Sequence, residues 1–64
     1  MIIKLETFKG GASVCMEHHS PSGYLEVRRR GYAGNLIDKV LFDTRERADE
    51  CFDDFVRDAL KDDE

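Results

Sequence analysis

The stretch LIDKVLFDTRERADECFDDFVRDAL, residues 36–60, decides the fold of this chain. Its opening segment, Leu36 to Phe42, is mostly apolar and fits the two-residue period of a β-strand. From Ala48 onward the apolar residues recur three or four positions apart, which is the period of an amphipathic helix. This apolar stripe comprises Ala48, Cys51, Phe52, Phe55, Val56, Ala59 and Leu60. The change of period predicts a strand followed by a helix over residues 44–61.

Asp43 and Glu46 indicate where this helix begins. Asp is a favoured N-cap because its carboxylate accepts a hydrogen bond from a free backbone N–H of the first helical turn. A Glu three residues after the cap completes a capping box. We therefore expect Asp43 to be the N-cap.

Three further strands are indicated upstream by period-two alternation and by turn-forming residues between them. The predicted strands are Ile2–Phe8, Ser13–His19, Tyr24–Arg30 and Leu36–Phe42. Because the connections are short, neighbouring strands should pair antiparallel. We predict an α+β fold, an antiparallel β-meander over residues 2–42 with the C-terminal helix packed on one face. A chain of 64 residues has room for one domain, residues 1–64.

Alternation within each strand assigns side chains to a face covered by the helix and an uncovered face. The residues that we assign to the covered face are Ile3, Leu5, Val14, Met16, Leu25, Val27, Leu36, Val40 and Phe42. The apolar residues that we assign to the uncovered face are Ile2, Phe8, Tyr24, Ile37 and Leu41. In the last strand the opposite register, with Ile37 and Leu41 inside, stays open because a one-residue slip inverts a strand.

The composition limits the location of the protein. The chain has 14 acidic and 10 basic residues, a net charge of −4. It lacks the run of about 20 apolar residues that a membrane helix needs, and residues 1–6 lack the basic and apolar regions of a signal peptide. We expect a cytoplasmic protein in which Cys15 and Cys51 are free thiols, since a bridge between them would require strand and helix to align.

Catalytic and metal chemistry find little support in the residues. So short a chain has little room for both a scaffold and an enclosed substrate cavity, and it contains no P-loop, nucleotide-binding or zinc-protease motif. Cys15, Glu17 and His19 share one strand face and are metal-ligand types. No second cluster of such residues completes a coordination shell. We expect no enzymatic activity, no cofactor and no metal.

The acidic side of the helix is the first candidate surface. From Asp49 to Glu64 the chain carries eight acidic and two basic residues. The pairs Glu46/Glu50, Asp49/Asp53, Glu50/Asp54 and Asp54/Asp58 place like charges four residues apart, whereas Asp53/Arg57 is an opposite-charge pair. Each like-charge pair costs about 0.2–0.5 kcal/mol. The surplus suits a basic partner or mimicry of a phosphate backbone, but it also keeps small proteins soluble. The candidate partner-binding residues are Glu46, Glu50, Asp53, Asp54 and Asp58.

A basic cluster on the sheet is the alternative surface. Arginines beside tyrosines can pair with phosphates or stack on bases. The residues of this surface are Tyr24, Arg28, Arg30, Tyr32 and Lys39. Cross-strand pairs with Glu6, Glu26 and Asp38 would account for the same arginines, and the net charge is negative. We therefore favour a protein partner over nucleic acid.

The segment Val40-Leu41-Phe42-Asp43-Thr44-Arg45-Glu46-Arg47-Ala48, with Phe52 and Phe55 after it, resembles a strand-to-helix junction that recurs in short proteins of phages and mobile elements. In size, acidity and layout the chain is similar to small phage-encoded inhibitors of host defence, including some anti-CRISPR proteins. The resemblance implies a protein that occupies a nucleic-acid-binding or assembly surface of a larger complex. No diagnostic motif is shared, so no functional residue is carried over.

The sequence therefore favours a small non-enzymatic binding protein, in the manner of a phage inhibitor, with its acidic helix against a basic protein surface. A nucleic-acid-binding module that uses the sheet face is the alternative. A third reading is an assembly protein that forms a homodimer through the uncovered face or an edge strand.

Overall fold

The computed structural model describes residues 1–62, the side chain of residue 62 excepted. Over this range the chain forms four β-strands and one α-helix, joined by short turns. The elements are β1 (Ile2–Thr7), β2 (Ser13–His18), β3 (Leu25–Arg30), β4 (Leu36–Phe42) and α1 (Arg45–Asp62). The strands lie in one antiparallel sheet in the order β1-β2-β3-β4. The predicted α+β architecture is confirmed.

The hydrophobic core lies between α1 and one face of the sheet. Val14, Met16 and Val27 of the two central strands are fully buried, and they cluster with Ala48 and Phe52 of the helix. The alternation predicted for β2 and β3 is therefore correct. Leu25 and a ring of partly buried apolar side chains complete this small core.

A bulge in β1 overturns the predicted faces of that strand from Lys4 onward. Ile2 lies opposite Glu17 but Lys4 lies opposite Met16, so Ile3 is an extra residue in the ladder. An extra residue shifts the alternation by one. As a result Phe8 packs against the core, whereas Leu5 is 54% exposed on the uncovered face.

The bulge also brings Lys4 to the helix side of the sheet. Its Nζ atom lies 2.7 Å from Asp49 Oδ1 and 5.1 Å from the centre of the Phe52 ring. The lysine stem thus covers a core aromatic ring while its charge is paired at the surface. This contact ties the edge strand β1 to α1.

A second irregularity changes the predicted core of β4. Arg29 lies opposite Asp38 but Arg30 lies opposite Leu36, so the register shifts at Ile37. Val40 and Phe42 are half-buried on the covered face, as predicted. Leu36, predicted to be core, is instead 48% exposed on the uncovered face. Ile37, predicted to lie outside the core, is 53% exposed and lines a cleft together with Ala59 of α1.

The helix begins one residue later than the capping-box pattern indicates. Thr44, not Asp43, is the N-cap: its Oγ1 accepts a hydrogen bond from the Arg47 N–H at 3.4 Å, and its carbonyl accepts one from Ala48. Glu46 therefore lies one position too early to close a capping box. At the other end Leu60, predicted for the apolar stripe, is 54% exposed.

The β1–β2 and β3–β4 turns meet at one end of the sheet. Each contains a short 3-10 segment, Lys9–Gly11 and Tyr32–Gly34. Gly10 adopts a φ of 74°, and a Cβ atom placed on it would lie 2.0 Å from Cδ1 of Tyr32. Glycine is thus required both for the backbone conformation and for the ring that packs on it.

Candidate functional site

The acidic side of α1 presents all five predicted carboxylates to solvent. Glu46, Glu50, Asp53, Asp54 and Asp58 are all exposed. Arg57 donates a hydrogen bond to Asp54 rather than to Asp53, so the opposite-charge pair expected four residues apart is replaced by one three residues apart. Over the described part of the chain the other four carboxylates have no hydrogen-bond or ion-pair partner. We refer to these five residues as the acidic helix face.

Asp49 lies beside this face but has a different role. Its Oδ1 atom accepts hydrogen bonds from Lys4 Nζ at 2.7 Å and from Arg45 Nε at 3.0 Å. These bonds, the one from Lys4 first, hold the pKa of Asp49 below the ordinary carboxyl value. The Arg45/Asp49 pair is readable from its four-residue spacing, but the contact with Lys4 depends on the bulge in β1. Asp49 therefore stabilises the fold and does not add to the unpaired charge.

A hydrogen-bonded group of charged side chains occupies the centre of the uncovered sheet face. Arg28 Nη1 donates to Glu17 Oε1 at 2.7 Å and to Glu26 Oε2 at 2.5 Å. His19 Nε2 lies 3.1 Å from the other oxygen of Glu26. Arg28 Nη2 lies 3.7 Å from Cys15 Sγ. Arg28, Glu17, Glu26 and His19 form what we call the Arg28 network.

The centre of the Arg28 network is buried, whereas the side chain of His19 at its edge is 41% exposed. Glu26 is only 7% exposed, although α1 does not cover this face. Burial raises the pKa of Glu26, but hydrogen bonds from Arg28 and His19 outweigh it, so the pKa lies below the ordinary carboxyl value. The hydrogen bond from Arg28 likewise lowers the pKa of Glu17, while Glu17 and then Glu26 raise the pKa of Arg28. At neutral pH all three groups are charged and paired.

The same residues bear on the metal prediction. The donor atoms of Glu17, His19 and Glu26 lie within 4.8 Å of one another. This set contains Glu26 in place of Cys15 from the predicted trio. Because the Arg28 guanidinium already donates to both carboxylates, a cation at this position would have to displace it. We therefore describe these residues as an ion-pair network.

The residues of the predicted basic surface lie in different environments and have different partners. Arg28 is held by two glutamates, and Arg30 Nη1 donates to the Gly34 carbonyl at 3.0 Å. Tyr24 and Tyr32 are exposed, but Tyr32 lies at the turn end of the sheet, where its ring packs on Gly10. Lys39 lies opposite Arg28, and its ammonium has no partner among residues 1–62. The cations and rings do not form one continuous row.

Apolar side chains lie beside the Arg28 network on the uncovered face. Their exposed fractions range from 48% to 55%, and they are Ile2, Leu5, Tyr24, Leu36 and Leu41. Strand pairing places Ile2 and Leu41 at the outer ends of the row that contains Glu17 and Glu26. The alternation pattern missed Leu5 and Leu36, because the two register shifts that expose them have no signature in the sequence.

A small cleft lies at the turn end of the sheet, beside α1. Its volume is about 60 Å³, and its walls include Phe8, Ala12, Tyr32, Ile37 and Ala59. That volume corresponds to about two water molecules, whereas small-molecule sites usually enclose about 300–1,000 Å³. The cleft is therefore smaller than a typical small-molecule site.

The two cysteines lie on different sides of the sheet. Cys15 is buried beneath Arg28 on the uncovered side, whereas Cys51 packs against the core from α1. Burial raises the pKa of the Cys51 thiol, with Asp38 and Asp54 adding to the effect. Both are free thiols, as predicted.

The chain matches no protein-family model, no curated protein and no solved structure. Within residues 1–62, no helix has both the length and the apolar character needed to cross a membrane. The candidate surfaces therefore rest on their own geometry.

Proposed function

We propose that this protein is a non-enzymatic binding module whose acidic helix face docks on a basic surface of a larger protein or complex. The observation that carries the proposal is the set of exposed carboxylates on α1, of which Asp54 alone has a cationic partner within residues 1–62. A helix selected for stability alone would place lysines between them.

The energetic cost of the face favours a role in recognition. Each like-charge pair four residues apart costs about 0.2–0.5 kcal/mol, and one ion pair of similar magnitude offsets little of that sum. Carboxylates in the second half of the helix also oppose the helix dipole. Contact with a cationic surface would remove this repulsion. Binding would therefore be strongest at low salt, where the charges are least screened.

The length of the acidic helix face is compatible with a protein surface that also binds nucleic acid. Glu46 and Asp58 are twelve residues apart, about 18 Å along a helix. Successive phosphates of one DNA strand advance about 3.4 Å along the duplex axis, so the face is as long as about five such steps. Together with the resemblance in size and layout to phage-encoded inhibitors, this length supports a competitive inhibitor that covers a nucleic-acid-binding site.

Nucleic-acid binding by the sheet face receives less support. Two glutamates neutralise Arg28, and Arg30 bonds to a backbone carbonyl. A phosphate would have to compete with both sets of bonds, and the chain carries a net charge of −4. A shift assay with short RNA and DNA at low salt, where phosphate contacts are strongest, should show no binding.

Capture of partners from a lysate of the cells that harbour the gene tests the proposal. The wild-type protein should retain a basic protein or complex at low salt and release it as salt is raised. Simultaneous change of Asp53, Asp54 and Asp58 to Lys should abolish this capture. If that variant retained the same proteins at the same salt, the acidic helix face would not be the binding surface.

A matched pair of single substitutions distinguishes the effect of where a charge lies from the effect of the net charge of the protein. Glu50→Lys and Glu6→Lys both alter an exposed glutamate and bring the same change in net charge. Glu50 lies on the acidic helix face, whereas Glu6 lies in the edge strand β1. Glu50→Lys should weaken capture, and Glu6→Lys should preserve it. Equal loss in both variants would indicate a dependence on net charge alone.

A further inference from the structure

We propose that the uncovered sheet face is a self-association surface, on which a second copy of this chain packs sheet to sheet. The face carries the five half-exposed apolar side chains, four of which lie in its outer strands, and the Arg28 network at its centre. This inference does not depend on the acidic helix face, which points away from the sheet.

The distribution of charge selects a second copy as the occupant. The charged side chains of the uncovered face are Glu17, Glu26, Arg28, Arg30 and Lys39, which sum to +1. Since the net charge of the chain is −4, the remaining residues carry −5. Two copies that meet through their sheets bring together weakly cationic surfaces, each containing two carboxylates, and keep their acidic helices on the outer sides. An approach through the helices would bring the strongest like charges into contact.

The Arg28 network does not oppose such packing. Glu26, Arg28 and Glu17 have exposed fractions of 9%, 21% and 28% at the side chain, so they have already lost much of their hydration. Within residues 1–62, no buried side-chain nitrogen or oxygen lacks a hydrogen-bond partner. A second copy would cover a network whose hydrogen bonds are already made, which avoids the largest cost of burying charged groups.

The area of the face limits the size of the interface that two copies could form. Four strands about 4.8 Å apart and about 20 Å long present a projected area of about 380 Å² per copy. Stable interfaces bury at least about 1,200 Å² of accessible surface in total, counted over both partners. Two such faces project about 760 Å² together, and their protruding side chains make the accessible surface larger than this projection. The face therefore lies at the small end of interface sizes. We therefore expect micromolar rather than nanomolar association.

Two exposed leucines provide a matched test. Leu41 is 55% exposed on the uncovered face, and Leu60 is 54% exposed on α1. Leu41→Lys adds a cation to a face that already carries +1, and the new lysine lies opposite Glu26, which protects the monomer fold. Leu60→Lys makes the same chemical change away from the face.

Sedimentation velocity from about 1 to 500 μM should show wild-type protein moving from the monomer mass of 7.4 kDa towards twice that mass, with a micromolar midpoint. Leu41→Lys should weaken the dimer at least tenfold, and Leu60→Lys should change it less than twofold. Circular dichroism of each variant checks the fold. A 7.4 kDa mass at every concentration would overturn the proposal and leave the face to a different partner. Equal weakening by both substitutions would also overturn it, since association would then use another surface.

Methyl chemical shifts give a second readout that needs no substitution. The methyl groups of Ile2, Leu5 and Leu41 should shift as wild-type protein is diluted, because they leave the interface. Those of Leu60 should not move. Concentration-dependent shifts at Leu60 without shifts at the sheet face would contradict the proposal.

Discussion

The role of Arg28 in the structure differs from the role that the sequence suggests. In the sequence it stands between Val27 and two further arginines, which suggests a contact with phosphate. In the structure it holds Glu17, Glu26 and the thiol of Cys15 together across two strands. Its cross-strand neighbours set its role, and they depend on the register of β2 against β3.

Replacing Arg28 with Met should reveal this structural role. The substitution keeps much of the side-chain volume but leaves the buried Glu26 carboxylate without its cationic partner. We expect a loss of about 2–4 kcal/mol in the free energy of unfolding, below the full cost of breaking a buried pair because Arg28 and Glu17 are partly exposed. Urea denaturation in dilute solution measures it. Arg30→Met, on the same strand, should cost less than about 1 kcal/mol; equal losses would contradict the role assigned to Arg28.

Acid should weaken the wild-type protein through the same residues. The pKa values of Glu17 and Glu26 are lowered in the folded state. Their stabilisation is therefore present above the ordinary carboxyl pKa and is lost as pH falls through the lower folded-state values. Urea midpoints should fall from about pH 5 to pH 3. In Arg28→Met the fall should be smaller, because protonation then relieves repulsion between the two glutamates. Parallel pH profiles for the two proteins would contradict this account.

At the scale of the element, α1 combines a well-packed apolar side with an unfavourable polar side. Ala48, Phe52 and Ala59 are buried against the sheet, and Thr44 caps the first turn. The acidic helix face, by contrast, gains stability from one ion pair within the described residues, that of Arg57 with Asp54. The two sides therefore make different predictions for substitution.

The N-cap can be tested by two neighbouring substitutions. Thr44→Ala removes the side-chain oxygen that accepts the Arg47 N–H bond, and should cost about 1 kcal/mol of unfolding free energy. Asp43→Ala should cost less than about 0.5 kcal/mol, since that carboxylate acts only through the helix dipole. Thermal and urea denaturation compare the two. A larger loss for Asp43→Ala would restore Asp43 as the cap.

Glu50→Lys should stabilise the isolated protein although it weakens partner capture. Residue 50 lies four positions from both Glu46 and Asp54, so the substitution turns two repulsive spacings into two attractive ones. We expect a gain of about 1 kcal/mol, measured by urea denaturation at low salt. A loss of stability would show that local repulsion is not what makes the acidic helix face costly.

At the scale of the whole molecule, the architecture could be predicted and its details could not. The change from a two-residue to a 3.6-residue period at the β4–α1 junction, and the short turns, are local properties, and they predicted the meander and its covering helix. The shifts at Ile3 and Ile37 depend on how neighbouring strands pair, which the alternation of residues within one strand does not encode. Because of these shifts, Phe8 rather than Leu5 packs against the core, and Leu36 lies outside it.

The two candidate surfaces also differ in how far the sequence could predict them. The acidic helix face depends only on helical spacing, so all five of its residues were placed correctly on the exposed side of α1. The basic sheet face depended on which side chains meet across strands. The partners of Arg28 and Arg30 could not be read from the order of residues, and they take both arginines out of a free cationic surface.

The meander has a consequence for the order in which the protein acquires its structure. Every strand pairs with the strand next to it along the chain, so each pairing closes only a short loop and costs little chain entropy. Such local topology favours rapid folding, on the order of milliseconds for a small mixed domain. The helix follows the sheet along the chain, so on a translating ribosome the side of the sheet that carries Met16 and Val27 remains exposed to water until α1 has emerged. During that interval the sheet exposes apolar groups on both of its faces.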